Sequence, residues 1–391
     1  MKRILVVARR INLGDGSGGL ERAAAVHIRL MMNAGWRVDV ATSHVGGARA
    51  DGKEQASEIN GRLLLVPWPR GFSEGGGPTF GVGYTLWAKA VAKSAADEIA
   101  NADIVHWHGS SAGALAGLSV AVQSKSVMNP HGLEEFGRDL LRLPSRLFLR
   151  RLTRRGACRS ATVIATDTAM LTPVLKHLRI DPEAVALVPN VVDVGELSAS
   201  TSTDVRRWDV VSVGRIVHNK GFDLLAGALC AIAAEDGRPF SWRHFGSGST
   251  RSLDKVLRGQ ELVHYEVVRR APDKEVYSTM RSAGAVVVPS RYEGSSLVVM
   301  EAMAVGAMVV ACPVGGIPEK ITDGVNGYLA GGVSVRALSR SIREAWNLPV
   351  HDRRTITGAA VATARLRFDL PVAAERYVRI YGDVLAKRDQ S

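Results

Sequence analysis

The sequence predicts an α/β chain made of two doubly wound parallel sheets, and three observations carry that prediction. Short β-rich runs alternate with amphipathic helical runs along nearly the whole length. The rhythm breaks once, at a polar, Ser/Thr-rich stretch over 194–206, and then restarts. At 391 residues the chain is also too long for one ordinary core.

The elements follow in order. "RILVVA" reads as a strand, then comes a Gly-rich loop and an amphipathic stretch from Leu20 to Asn33. Gly35 stops that helix, and "WRVDVAT" is the next strand. "DIVHWHG", "SVMNPHG", "ATVIATD" and "AVALVPN" repeat the pattern, each run ending in turn or polar residues. Beyond the break, "WDVVSVGRI", "WRHFGSGS", "AVVVPS" and "MVVACP" begin a second series. The expected organisation is one Rossmann-like domain over 1–193, a linker over 194–206 and a second such domain over 207–368. In open α/β sheets, ligands bind beyond the carboxyl ends of the strands. Two such domains facing each other would form a cleft suited to joining two substrates.

Composition narrows the function. Hydrophobic residues are 46% and charged residues 23%, as in a globular enzyme. The net charge of +12 points to anionic company such as phosphates, nucleic acid or acidic lipid, unless an Arg-rich genome alone explains it. Aromatic residues are only 6% and form no stacking platform among the basic ones, which argues against nucleic acid. Cys158, Cys230 and Cys312 are scattered without metal-like spacing, so a reducing compartment and no disulfide framework are expected. The apolar stretch in "MKRILVVARR" is too short for a signal peptide, and no apolar run reaches eighteen residues. The expected location is cytoplasmic.

Chemistry concentrates in "SRYEGSSLVVMEAMAVGAMVV", residues 290–310. Glu293 and Glu301 stand eight apart, which on one helix is roughly 12 Å along the axis. A glycosidase acid/base pair needs its carboxyls about 5 to 9.5 Å apart, so these two suit the holding of different parts of one elongated ligand. Gly294, Ser295 and Ser296 would open a helix whose free N–H groups seat an anion. Glu301, among apolar neighbours, must be hydrogen-bonded. A ribose diol would satisfy it, and so would a Lys or Arg on the helix surface. Arg215 and Lys220 follow a strand and precede a helix with apolar residues at 222, 224, 225, 228, 229 and 232. Two cations there suit a diphosphate. Gly246 and Gly248 of "HFGSGS" would let backbone approach it closely.

These blocks, "VGRIVHNKGFDLL", "GSG" and "PSRYEGSSLVVMEAMAVGAMVVACPVGGIPEKITDGVNGYL", resemble the donor domain of GT-B glycosyltransferases of family GT4. "SGGLERAAAVHIRLMMNAGWRVDVAT" and "ALVPNVVD" extend the resemblance into the first half. The tail over 369–391 resembles the family's terminal helix, which crosses back to the first domain. The resemblance implies a retaining transferase moving a hexosyl unit from a UDP- or GDP-sugar to an acceptor hydroxyl, in cell-envelope glycolipid or polysaccharide synthesis. A small soluble acceptor, or a sugar-nucleotide epimerase of the same fold, is the alternative.

Carried over, it assigns Arg215 and Lys220 to the donor diphosphate, Glu293 to the sugar hydroxyls and Glu301 to the ribose. Backbone around Gly214, Gly246, Gly248, Gly294, Ser295, Ser296 and Leu297 would approach the donor, as would Gly18 and Gly19. His131 would face the reacting sugar, as a general base or as a hydrogen-bonding positioner. No cofactor and no metal are expected, since the chain has no Asp-x-Asp pair. Two positions depart from the family: Val191 replaces a glycine of the Pro-Asn-Gly-Val-Asp pattern, and Glu266 another before the base-contacting stretch. The nucleobase is therefore left open.

The acceptor side offers one distinctive segment, "GRDLLRLPSRLFLRRLTRRGACR". Arg146, Arg150 and Arg154 recur every four residues, with Arg151 and Arg155 beside them and Pro144 as the expected helix start. Phe148, Leu149 and Leu152 fall on the opposite side of a helical wheel. Three readings stand: a helix resting on an anionic membrane at the inner face of the cell membrane, a core-packed helix with solvated arginines, or a grip for an anionic acceptor. His106 and His108 are read as cleft lining or structure.

Overall fold

The computed structural model describes residues 1–12, 19–46, 59–74, 77–136, 143–199 and 208–390. The chain divides into two compact units. The first runs to Asn190 and is rejoined by Ala373 onward, and the second spans Val191–Val372.

The strands in chain order are β1 (Arg3–Val7), β2 (Arg10–Asn12), β3 (Arg37–Thr42), β4 (His44–Gly46), β5 (Leu63–Leu65), β6 (Ile104–His108), β7 (Ser126–Asn129), β8 (Thr162–Ala165) and β9 (Val185–Leu187) in the first unit. The second unit holds β10 (Val210–Val213), β11 (Phe240–Phe245), β12 (Val263–Val268), β13 (Ala285–Val288), β14 (Val309–Ala311) and β15 (Tyr328–Leu329).

All pairings in the two main sheets are parallel, in the orders β5-β3-β1-β6-β7-β8-β9 and β12-β11-β10-β13-β14-β15. Each sheet is wound outward from its centre, so its direction of winding reverses once, between β1 and β6 and between β10 and β13. Central parallel strands are covered on both faces, which is why β1 reads Ile-Leu-Val-Val rather than alternating. Ile4, Leu5, Val6 and Val7 are all fully buried, each stabilising the sheet by roughly 1.5–3 kcal/mol relative to exposure.

The helix Leu143–Ala157 lies close against the turn Gly109–Gly117 because glycines meet there. A Cβ on Gly113 would stand 2.1 Å from Leu152 Cδ1, and one on Gly156 2.6 Å from the Ala112 backbone. Within 194–206, Val194–Ala199 is helical, and Val194 and Leu197 join the second unit's core. The remainder of that stretch, from residue 200, lies outside the described residues.

Candidate donor-binding site

β10 and β13 are neighbours at the second sheet's switch point, and the loops leaving them carry the polar groups. Just past β10, Gly214 donates its N–H to Phe245 O at 2.9 Å, and past β11, Gly246 donates to Val268 O at 2.9 Å. The two loops pass so closely that a Cβ on Gly246 would sit 1.9 Å from Gly214 O. Gly248 is as confined, with a Cβ falling 2.6 Å from Ile216 O, while Ile216 N–H donates to Ser247 O at 2.7 Å. Gly214, Gly246 and Gly248 also have φ of 141°, 154° and 137°, a region that other residues rarely adopt.

The Gly214 peptide is fixed from beneath. A carbonyl only accepts, so His244 Nε2–H donates to Gly214 O at 2.9 Å. The bare Nδ1 then accepts from Ser212 Oγ at 2.8 Å, and Trp242 Nε1–H donates to the same hydroxyl at 2.9 Å. Burial pushes His244 down to about 4, which keeps this tautomer neutral.

Lys220 ends the short turn His218–Lys220, and its Nζ donates to Glu293 Oε1 at 2.7 Å. Ser290 Oγ donates to the same oxygen at 2.8 Å. The Lys220 and Glu293 side chains are 26% and 9% exposed, so the pair is largely withdrawn from water. Gly221, with φ of 66°, lets the Lys220 loop touch the strand-end loop, since a Cβ there would lie 2.0 Å from Pro289 O.

Arg291 bolts the two loops together. Its guanidinium grips Asp223 through two bonds of 2.7 Å, Nη1 also donates to His218 O at 2.9 Å, and its backbone N–H donates to Asn219 O at 2.7 Å. The bidentate bond holds the Asp223 carboxyl below its usual range and raises Arg291. From the other side, Gly315, with φ of 56°, brings the Gly315–Gly316 turn against Glu293, where a Cβ would stand 1.9 Å from Glu293 O.

Glu301 is 3% exposed on the helix Leu297–Ala304, and Tyr277 OH reaches its Oε1 at 3.4 Å. This is a buried position, not a helix surface. Ser296 stands at the N-cap without a side-chain capping bond, which leaves the first-turn N–H groups uncapped by it. Ser295 Oγ, in the turn between Gly294 and Ser296, is buried and has no hydrogen-bond partner among the described residues. Arg215 is exposed just beyond β10. The second unit thus gathers Lys220, Glu293, the Gly214, Gly246 and Gly248 backbone and the Ser295–Leu297 helix start around one switch point.

Gly18 lies outside the described residues. Gly19 opens the helix Gly19–Asn33 and is exposed. His131 follows β7 with φ of 59°, a strained value for a histidine, and its N–H donates to Asn129 Oδ1 at 3.0 Å.

His131 belongs to a cluster that the sequence did not reveal. His131 Nε2 lies 2.9 Å from His108 Nδ1, and His108 Nε2 lies 3.3 Å from His27 Nδ1. His27 Nε2 and His106 Nδ1 lie 2.7 Å and 2.8 Å from Tyr381 OH. Burial pushes His27 to about 3 and His131 to about 4, and drives His106 and His108 well below the usual imidazole range. One ring nitrogen from each of His27, His106 and His108 lies within 4.8 Å of the others, the one group among the described residues spaced to hold a metal ion. Every ring of that group is engaged in the hydrogen bonds just described.

The arginine helix divides its residues. Arg150 Nε donates to Glu135 O at 2.7 Å and Arg154 Nε to His177 O at 2.6 Å, both over the Phe136 ring. Arg146 is half-buried, whereas Arg151 and Arg155 are exposed. Leu152 is buried as the wheel predicts, but Phe148 is 49% exposed beside Leu147 at 53%. The outward face therefore mixes two apolar side chains with two arginines.

A doubly wound sheet with glycine-only backbone crossings and a lysine–carboxylate pair at its switch point has the backbone access and the charge that a phosphate-bearing ligand would need. Residues 193–361 match the family described as glycosyl transferases group 1, and residues 17–196 match glycosyltransferase family 4. The chain belongs to the group 1, family 4 glycosyltransferases. It is 31% identical over 234 residues to the D-inositol 3-phosphate glycosyltransferase of Actinosynnema mirum, covering 52% of each chain. It is 37% identical over 119 residues to an uncharacterised glycosyltransferase of Methanocaldococcus jannaschii, covering 30% of this chain and 32% of that one. The chain thus matches about half or less of the length of these curated relatives.

Among solved structures, Anabaena HepE in complex with UDP and glucose is similar over 98% of this chain and 100% of its own, with TM-score 0.74 and 20% identity. Sucrose-phosphate synthase from Thermosynechococcus elongatus is similar over 99% and 100%, with TM-score 0.74 and 18% identity. The fold is the two-sheet GT-B fold.

Proposed function

We propose that this glycosyltransferase moves a hexosyl unit from a UDP- or GDP-sugar to an acceptor hydroxyl, with retention at the sugar carbon and without a metal ion. The observation that carries this reading is the Lys220–Glu293 pair of 2.7 Å at the switch point. Breaking a sugar–phosphate bond leaves negative charge on the departing diphosphate. Fixed positive charge and N–H donors aimed at it are the most effective help a protein can give. Lys220, Arg215 and the Ser295–Leu297 helix start supply that charge from the protein itself.

Donor binding would draw Lys220 toward phosphate and leave Glu293 to accept from sugar hydroxyls, a role that suits a carboxylate held by Ser290. Glu301 takes the ribose diol, deeper in the same unit. Anabaena HepE is described with UDP-glucose, which supports a nucleotide sugar as the donor. On this reading the acceptor proton passes to the leaving phosphate as the acceptor attacks from the same face.

The test is isothermal calorimetry with a panel of nucleotide sugars, followed by product analysis. A UDP- or GDP-sugar should bind with the Kd shifted at least about tenfold weaker in Glu301→Ala, the loss of one charge-assisted hydrogen bond. Binding unaltered by that change would remove Glu301 from the nucleotide site. Interconversion of the sugar with no acceptor present would identify an epimerase instead.

For the acceptor, we propose a glycan or lipid-linked molecule, with the 143–157 helix resting on anionic lipid. Leu147, Phe148, Arg151 and Arg155 on one exposed face support this, because shallow apolar insertion and cation–headgroup attraction reinforce each other. Replacing Arg151 and Arg155 with Ser should lower sedimentation with phosphatidylglycerol vesicles by about tenfold or more, at about 1 kcal/mol per cation. Equal sedimentation of the variant would end the membrane proposal and favour a small soluble acceptor.

A further inference from the structure

We infer that His131 is held as its Nδ1–H tautomer, a hydrogen-bond donor and not a base, by a buried chain of hydrogen bonds that passes through Tyr381 of the C-terminal helix Leu370–Asp389 and ends on His106. The functional half of this inference rests on the proposal that His131 faces the reacting sugar. The structural half does not.

The chain runs His131–His108–His27–Tyr381–His106, through contacts of 2.9, 3.3, 2.7 and 2.8 Å. His27, His106 and His108 are 3%, 0% and 1% exposed, and burial keeps every ring neutral. A neutral imidazole has one N–H and one bare nitrogen, so each ring that receives a proton at one end must offer it at the other. Tyr381 OH could also accept from both its neighbours, but its own O–H would then be stranded at a fully buried position, so the chain has two polarities that keep that hydroxyl bonded. In the first, His131 Nε2–H donates to His108, and donation continues inward until His106 Nε2 carries the last N–H. In the second, His106 Nδ1–H donates to Tyr381, Tyr381 to His27, His27 to His108, and His108 Nδ1–H to His131 Nε2.

The inner end decides between them. His106 Nε2 is buried without a hydrogen-bond partner among the described residues. The first polarity would strand an N–H there, and orphaned buried N–H groups are the rarer and costlier defect. The second strands only a lone pair. It leaves His131, the one residue of the set that is not fully buried, with its proton on Nδ1.

The same helix also holds the backbone. Tyr377, four residues before Tyr381 and so on one helical face with it, hydrogen-bonds Asn129, whose Oδ1 accepts His131 N–H at 3.0 Å. The strained φ of 59° at His131 is thereby fixed from Tyr377 and its tautomer from Tyr381. His108, His27, Tyr381 and Tyr377 are positioning residues for His131.

Two measurements test this. Long-range proton–nitrogen NMR on protein labelled with ¹⁵N-histidine should show His131 as Nδ1–H. His108→Ala should release it to a mixture of tautomers, and His108→Asn, whose amide N–H replaces the lost Nδ1–H, should restore it. His131 found as Nε2–H in the unmodified protein would overturn the inference. In initial-rate assays, His131→Asn places a donor amide where Nδ1 stood, and asparagine tolerates positive φ better than most residues. It should keep at least about a tenth of kcat, while His131→Ala loses about a hundredfold, the scale of one transition-state donor. Equal loss in both variants would make His131 a base and overturn the donor role. No loss in either, with the NMR result intact, would refute the placement of His131 beside the sugar and leave the tautomer assignment standing.

Discussion

Lys220→Ala is expected to lower kcat by about 10²–10³, the scale seen when one preorganised donor to a developing anion is removed. The lysine is suited to that effect because it is fixed. Its loop is bolted by Arg291 to Asp223, His218 and Asn219, and Gly221 keeps it in backbone contact with Pro289. A tethered charge in a site of low exposure acts without reorganising at the moment of bond breaking.

The same change removes the cation from Glu293, whose side chain is 9% exposed, and leaves Ser290 Oγ donating to it. An uncompensated buried carboxylate destabilises by several kcal/mol, so lost activity alone would be ambiguous. The double variant Lys220→Ala/Glu293→Gln separates the effects. It should recover most of the melting temperature, because the stranded charge is gone, and none of the turnover. Full turnover in a folded Lys220→Ala protein would sink the leaving-group argument.

Much of this site was legible in the sequence because its parts lie at strand ends. Arg215 and Lys220 follow the run that becomes β10, and Glu293 follows the run that becomes β13. A doubly wound order then makes those two strands neighbours. The small residues of "GSG" announced a close approach, and the structure supplies its partner, the Gly214 carbonyl at 1.9 Å from a Cβ on Gly246.

Other features depend on contacts that no local pattern encodes. Arg291 and Asp223 are 68 residues apart, and no spacing in the sequence pairs them. Glu301 could be read as paired on a helix surface or as buried, and only packing around Leu297–Ala304 decides it. His27 lay unnoticed on an apolar helix face, and its partner Tyr381 is 354 residues away. On the arginine helix, periodicity could not show that Arg150 and Arg154 fold back over Phe136, which belongs to a separate turn. The wheel therefore overstated the outward basic face.

The histidine cluster also predicts how the first unit responds to acid. In the unfolded chain each of these imidazoles titrates near 6.5. In the folded protein His27 is pushed to about 3, and His106 and His108 lie well below the usual value, because burial penalises their charged forms. Below pH 6.5 the unfolded state binds protons that the native state refuses. Stability is thus fully present above that pH and falls as the pH drops.

Three such groups give a slope of roughly 4 kcal/mol per pH unit near pH 5, and a loss of about 6 kcal/mol between pH 7 and 5. That rivals the whole stability of an ordinary domain. Urea midpoints followed by circular dichroism should fall steeply over this range, with about three or more protons taken up on unfolding at pH 5.5. A midpoint that stays flat from pH 7 to 5 would mean the histidines are not held neutral, and the hydrogen-bond chain through Tyr381 would fail with them.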